Sequence, residues 1–378
     1  MCGTAVYLHS MPIGIDTFTL GVEEEYQIVD AATRALAPRE AHVLPIAAET
    51  LGDEVQPELQ SSMIEIGTPV CKTLADVRRE LMRERRAVIQ AARRDGLRIA
   101  AAATHPFSAW SDQSITPKER YRTLAADFGQ LARETVIFGC HVHVGLESRE
   151  VALDVMNRVR FRLAPLLALT ANSPFWLGED SDYASFRTLV WSRWPMSGPP
   201  LAFASKDEYD RLLTQLIAAG VIEDETKIYW DVRPSGRFPT LEFRVTDVCM
   251  TIDEAVMLAG LVRALARDAY LAGQRNDDVP HVRHELVRTA HWQAARFGLE
   301  GELIDVHTGR KVPADEMIGA LLADLRPALE EAGDFDEVSS HVRTTLQRGN
   351  GATRQREAFE RTGSLQHVVD YIVEQTEK

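Results

Sequence analysis

The stretch TLEFRVTDV at 240–248 constrains this chain more than any other. Leu241, Phe243 and Val245 project to one side of an extended backbone, and Glu242, Arg244 and Thr246 to the other. Such alternation predicts a strand with one face against a core. Its opposite face then carries a carboxylate and a guanidinium two residues, about 7 Å, apart. The preceding KIYWDVRPSGRFP adds Arg233 and Arg237 around a turn at 234–236. Anionic and cationic groups together on one strand face suit a site where a metal ion meets a phosphate. The same pattern also fits a solvated face carrying an in-register ion pair.

Three other stretches place chemistry on strand faces. FTLGVEEEYQIVD at 18–30 alternates as a strand with Glu23 and Glu25 on one face and Glu24 on the other. Adjacent carboxylates repel and are poor strand formers, so a strand that holds three of them needs a cation nearby, unless it is an exposed edge guarded by charge. In VQPELQSSMIEIGTPVC at 55–71, Glu58 and Glu65 are seven apart. On one continuous strand they would face opposite ways, so a shared site requires a turn or bulge at the polar 60–62 segment. In TVIFGCHVHVGLES at 135–148, His141 and His143 share a face opposite Val142 and Val144. Two imidazoles so placed converge on a metal ion, or else form a hydrogen-bonding pair. A face this rich in carboxylates suits Mg²⁺, which prefers oxygen ligands and bridges phosphates.

The remaining pattern is mostly helical. Helices are expected from Arg39 within 35–54, and over 73–95, 116–133, 148–171, 206–219, 251–273, 279–298, 314–332, 335–348 and 354–376. In 73–95 the apolar stripe is Leu74, Val77, Leu81, Val88 and Ala92, Gly96 is the stop, and the many arginines read as a solvated face. Thr116 with Pro117, Ser148 and Thr251 are the expected caps, Pro165 marks a bend or a second start, and Gly273 a stop. LRIAAAAT at 97–104 reads as a buried strand. Segment 172–200 is irregular and carries Trp176, Trp191 and Trp194, which makes it a candidate lid or wall. His281, His284 and His291 read as structural or solvated, and GNGATR at 349–354 as a helix start matching no phosphate-loop pattern.

Composition narrows the partners. The 378 residues carry a net charge of −14, which argues against non-specific nucleic-acid binding. No apolar run of about 18 residues exists, so no membrane span is expected. Cys2, Cys71, Cys140 and Cys249 are scattered without a CxxC pair, which fits a reducing, cytoplasmic setting. Residues 1–15 read as a loose leader and 16–378 as one catalytic domain, mostly helical from about 251. Arg/Glu-rich helices are compatible with a homodimer.

Four motifs together carry a resemblance: GVEEE at 21–25, the Glu58 and Glu65 pair, CHVH at 140–143, and RPSGRFPTLEFRVTDV at 233–248. Over about 16–375 the chain resembles the bacterial carboxylate–amine ligases of the glutamate–cysteine ligase type 2 group (the YbdK-like branch). The resemblance implies an α+β, glutamine-synthetase-like fold. Its curved antiparallel β-sheet, lined with acidic residues and backed by helices, would hold Mg²⁺ and the phosphates of ATP on the concave face. It implies metal ligation by Glu23, Glu25, Glu58, Glu65 and Glu242 with His141 or His143. It assigns Arg244 to the transferring phosphoryl group, with Arg233 and Arg237 as further ATP or substrate contacts beside Tyr229 and Trp230. The implied reaction is ATP-dependent amide formation through an acyl phosphate, from glutamate and cysteine or another amine, releasing ADP and phosphate. Three rivals compete: a zinc amidohydrolase using the two histidines on a barrel strand, a Cys140 nucleophile, and a weakly active relative that binds ATP or an amino acid. Cys140 and His141 point to opposite faces of a strand, which argues against the second.

Overall fold

The computed structural model describes residues 13–378. The expected leader therefore lies mostly outside the described residues; at its end Ile15 opens a single 3₁₀ turn, Ile15–Thr17. In chain order come β1 (Leu20–Asp30), α1 (Glu40–Leu51), β2 (Val55–Pro57), β3 (Met63–Gly67), α2 (Leu74–Arg93) and β4 (Leu97–Ala100). Then follow α3 (Glu119–Phe128), α4 (Gln130–Glu134), β5 (Gly139–Gly145), α5 (Arg149–Val159), α6 (Ala164–Thr170), α7 (Phe186–Trp191) and α8 (Lys206–Ala218). The central segment gives β6 (Val232–Pro234) and β7 (Thr240–Asp247), and α9 (Ile252–Gln274) and α10 (His284–Phe297) come next. A hairpin, β8 (Glu302–Asp305) and β9 (Arg310–Pro313), precedes α11 (Ala314–Ala332), α12 (Phe335–Arg348), α13 (Gly351–Thr362) and α14 (Leu365–Thr376).

β1 to β7 form one seven-stranded sheet in the order β6-β7-β5-β1-β3-β2, with β4 also on β1. Every pairing in it is antiparallel. Gln27 faces Met63 on one side and Ala100 on the other, so β4 takes over the flank of β1 that β5 leaves at Glu24. The hub is thus β1, which pairs with three strands; β7, singled out by its sequence, lies one strand in from an edge. An edge-strand reading of 18–30 is excluded by those neighbours. The fold is α+β, and an open antiparallel sheet leaves no place for the βα barrel of the amidohydrolase reading.

The two faces of the sheet have different partners. Val22, Tyr26, Ile28, Ile66, Val142 and Phe243 are buried on the face that α2 and α9 cover. Both helices begin with a capping box: Thr73 with Asp76 in α2, and Thr251 with Glu254 in α9. The expected apolar stripe of α2 is buried, and Gly96 adopts a φ of +68° just beyond its end. Its arginines are not all solvated, because Arg85 is fully buried. Gly273 does not end α9, which runs on to Gln274; a side chain there would collide with the Asp154 carboxylate of α5.

Elsewhere the expected boundaries shift for local reasons. Pro165 opens α6 as a second start, as its missing N–H allows. Strand 97–104 leaves the ladder after Ala100. The helix expected from Thr116 begins at Glu119 after an uncapped Lys118. Segment 354–376 is two helices, broken at Gly363 (φ +65°), with Ser364 capping the second. Asn350 caps α13, so GNGATR is a helix start. The β8–β9 hairpin was not anticipated.

Candidate active site

Pleating puts Glu23 and Glu25 of β1, Glu65 of β3, His141 and His143 of β5, and Glu242 and Arg244 of β7 on the open face of the sheet. They line a cavity of about 420 Å³. Register sets their spacing: Glu25 pairs with Glu65, Glu23 with His141, and Glu242 with both His143 and Arg233. Glu58 follows β2, and the polar turn before β3 brings it beside Glu65, as a shared site required.

Two trios of donor atoms result, each with all its atoms within 4.8 Å of one another: Glu25, Glu58 and Glu65, and Glu23, His141 and Glu242. The first is all carboxylate. Burial, with Glu58 opposite, pushes Glu25 up to about 7, although the Gly139 N–H donates to its Oε2 at 2.6 Å. Burial and the neighbouring Glu23, Glu58 and Glu25 hold Glu65 well above the usual range. Glu25 and Glu65 thus hold protons more tightly than free carboxylates do unless a cation replaces them. Such oxygen donors fit a hard divalent ion such as Mg²⁺.

The second trio is already partly compensated. Glu242 receives the Arg233 Nε at 2.9 Å and is held directly by Arg244. Burial would raise its pKa, but Arg244 and Arg233 keep it below the ordinary carboxylate range. His141 Nδ1 lies 3.2 Å from Glu23, and His143 Nε2 lies 3.3 Å from the other oxygen of the same carboxylate. Burial would raise Glu23 too, but the two imidazoles hold it well below its usual value. Burial and then Arg244 push His141 down to about 4, so its ring is neutral and able to ligate. His143 Nδ1 lies 2.9 Å from the Thr240 hydroxyl. The choice between the histidines thus narrows: both face the cavity, and His141 completes a donor trio.

This acidic sheet belongs to a recognisable group. Residues 19–371 match the family model described as Glutamate-cysteine ligase family 2 (GCS2). The chain belongs to glutamate–cysteine ligase family 2. It is an ATP-dependent ligase. A family relative in Rhodospirillum rubrum, provisionally named glutamate–cysteine ligase 2, is 43% identical over 372 residues, 95% of each chain. One of the same provisional name in Solibacter usitatus is 39% identical over 362 residues, 96% of this chain and 94% of that one. Among solved structures, a glutamate–cysteine ligase from Francisella tularensis in complex with AMP superposes with a TM-score of 0.72 at 13% identity, over 96% of this chain and 89% of that one. A bifunctional glutathione synthetase from Pasteurella multocida gives 0.71 at 17% identity, over 96% of this chain and 53% of that one. At these identities the two structures share the fold.

Within this family member, the structure separates candidates that the sequence grouped. Arg233 is tied inward, to Glu242 and to the carbonyls of Thr226 and Ile228, whereas Arg237 stands exposed at the cavity lip. Tyr229 lines the cavity, but Trp230 packs on Phe203 and Tyr209 away from it. Cys140 is buried on the helix side of the sheet, which removes the nucleophile reading. Of the aromatic segment, Trp191 and Trp194 form cavity wall with Tyr229, while Trp176 packs on Phe186. That segment is anchored to the sheet by Asp247, which accepts from Asn172 N, Ser173 Oγ and Ser185 Oγ at 2.7–2.8 Å.

Arg187 was missed. It is 4% exposed, lines the cavity from α7, and donates to the Arg244 carbonyl at 3.3 Å. A Cβ on Gly139 would stand 2.6 Å from its Nη2, so a glycine at the start of β5 makes room for the guanidinium. Only that glycine, adjacent to the CHVH motif, hinted in the sequence at a close neighbour. Lys118, Arg120 and Tyr121 also line the far wall unannounced.

Proposed function

We propose that the protein joins the γ-carboxylate of glutamate to an amine, with cysteine the first candidate, at the expense of ATP. The observation that carries this reading is the pair of donor trios standing beside Arg244 and Arg187 in one cavity. A carboxylate oxygen attacks the γ-phosphorus and the bond to ADP breaks, leaving an acyl phosphate. The amine nitrogen then attacks the acyl carbon, loses a proton, and inorganic phosphate departs.

The first step brings two anions together, so the site must supply positive charge in advance. Bound Mg²⁺ would supply positive charge that offsets the charge on the phosphate oxygens. Glu25, Glu58 and Glu65 would hold one ion, and Glu23, His141 and Glu242 would contribute to another. Arg244, oriented by Glu242, would face the charge on the transferring group, and Glu242 itself is positioned by Arg233. Arg187 offers an Nε without a partner among the described residues, suited to a substrate carboxylate or phosphate. Trp191, Trp194 and Tyr229 form an aromatic wall that would keep water from an acyl phosphate.

The test is ADP release screened over pairs of carboxylates and amines with Mg²⁺ and ATP. ADP formation that needs both glutamate and an amine, with a matching amide product, supports the reading. ATP binding with no pair turned over would leave a binding protein instead and overturn it.

A further inference from the structure

Away from the cavity, one buried charge has no counterpart. Arg160 follows α5 and is 4% exposed. Other buried arginines face acids: Arg85 meets Glu24, Arg267 meets Glu331, and Arg354 meets Glu254. Arg160 pairs with no carboxylate among the described residues. Among the described residues its one hydrogen bond is long, from Nη2 to the Val282 carbonyl at 3.4 Å, and its Nε and Nη1 are buried without a partner there. Burial alone acts on this guanidinium, lowering its affinity for its proton. An unpaired buried cation is an expensive thing to fold around.

What stands next to it deepens the puzzle. Val282 lies two residues before His284, the first residue of the 14-residue α10. The Arg283 N-cap offers no side-chain acceptor, and the Arg160 guanidinium reaches the Val282 carbonyl just ahead of this helix start. The acid of that first turn, Glu285, is turned outward onto Arg283 at 2.7 Å. His284 adds a buried Nδ1 without a partner among the described residues; burial and then the charges of Arg288 and Arg160 lower its affinity for a proton, against the opposing charge of Glu285. Cation, imidazole and helix start therefore lie together, and the carboxylate that faces His284, that of Glu285, is itself engaged by Arg283 at the surface.

We infer that the junction between the end of α5 and the start of α10 binds a small oxyanion, sulfate- or phosphate-like, through Arg160, His284 and the first turn of α10. The chemistry is that of an anion at a helix N-terminus with a guanidinium closing the site. Half-exposed His284 opens the way to solvent. The site is separate from the ligase cavity, whose lining includes none of these residues.

Sulfate is the probe, compared with chloride at matched ionic strength, read as a thermal midpoint. Wild type should rise by about 1–2 °C as sulfate goes from tenfold to a hundredfold over its Kd. Arg244→Ala, which weakens anion binding in the ligase cavity, should keep that rise, and Arg160→Met should lose it. In sulfate-free buffer Arg160→Met should melt no lower than wild type, since it removes an uncompensated charge. An equal sulfate response in Arg160→Met overturns the site. Should that variant not fold, selenate-soaked wild-type crystals decide. An anomalous selenium peak within hydrogen-bond reach of Arg160 upholds the inference, and an Arg160 satisfied by water or by Glu285 without selenium refutes it.

Discussion

Glu25 is where proton and metal compete most directly. Its pKa of about 7 means that, without a metal, the folded protein holds a proton there which the unfolded chain has lost by about pH 5. A raised folded pKa favours folding at low pH, and that contribution disappears as pH climbs through 7. Mg²⁺ reverses the trend, since it needs the carboxylate ionised. Calorimetry in two buffers of different ionisation enthalpy should therefore show proton release on Mg²⁺ binding at pH 6–7, with affinity rising as pH passes 7. Affinity unchanged between pH 6 and 8 would remove Glu25 from the metal site. Glu242 makes a different demand: it holds Arg233 and Arg244 in place as an anion. Glu242→Gln should lower kcat by at least about a hundredfold, the scale of losing one preorganised electrostatic contact. The far-UV circular dichroism should stay native. Wild-type turnover in a folded Glu242→Gln protein would take this residue out of the mechanism.

Among the elements, α2 ties two of the ligand-bearing strands, β1 and β7, together from behind. Arg85 donates to both oxygens of Glu24 on β1, with Nη2 at 2.5 Å and Nε at 2.9 Å, and to the Tyr26 hydroxyl at 2.9 Å. Its remaining donors reach the carbonyls of Cys249 and Met250, just beyond β7. Glu24 is flanked by Glu23 and Glu25, so one guanidinium fixes the strand that contributes one acid to each donor trio. Arg85→Met leaves the buried Glu24 with no cation and only the Tyr26 hydroxyl, and should cost roughly 3–5 kcal/mol in urea unfolding. Adding Glu24→Gln should recover a large part of that loss, because the stranded charge is then gone. A loss under about 1 kcal/mol for the single variant would show that the pair is not what fixes the strand. The sequence held this signal unread: 81, 85 and 88 follow the helical spacing of the apolar stripe, so position 85 belonged inside. Alternation, by contrast, correctly sorted Glu23 from Glu24, His141 from Cys140 and Glu242 from Phe243, because pleating is local. Sheet order was not legible, since the three partners of β1 arrive from 63, 97 and 139 onward. Arg187 was hidden for the same reason. Its place depends on Asp247 holding the segment before it, and nothing within SFRTLVW points to a cavity.

At the scale of the whole molecule, charge sets the order of assembly. The protein carries −14, but screening confines that field to within about 10 Å of the surface at 0.1 M salt, so it acts on encounter rather than on the site. Inside the cavity the balance is local. Arg233 and Arg244 are engaged by Glu242, so the carboxyl groups of Glu25, Glu58 and Glu65 oppose an entering phosphate chain even with Arg187, Lys118 and Arg120 on the walls. ATP without a divalent ion should therefore bind poorly, and ATP after Mg²⁺ well. With Mg²⁺ present and ATP at a hundredfold over its Kd, folding should gain about 2.7 kcal/mol. The same ATP with a chelator should give less than a third of the accompanying rise in thermal midpoint. Trp191 and Trp194, two of the six tryptophans, line the cavity and supply a second readout. Their fluorescence should change with ATP only when the metal is present, and Trp191→Phe should diminish the change. A full thermal shift and a full fluorescence change in chelator would mean that the arginines alone hold the nucleotide, and that the carboxylates gathered on this sheet serve something other than a metal.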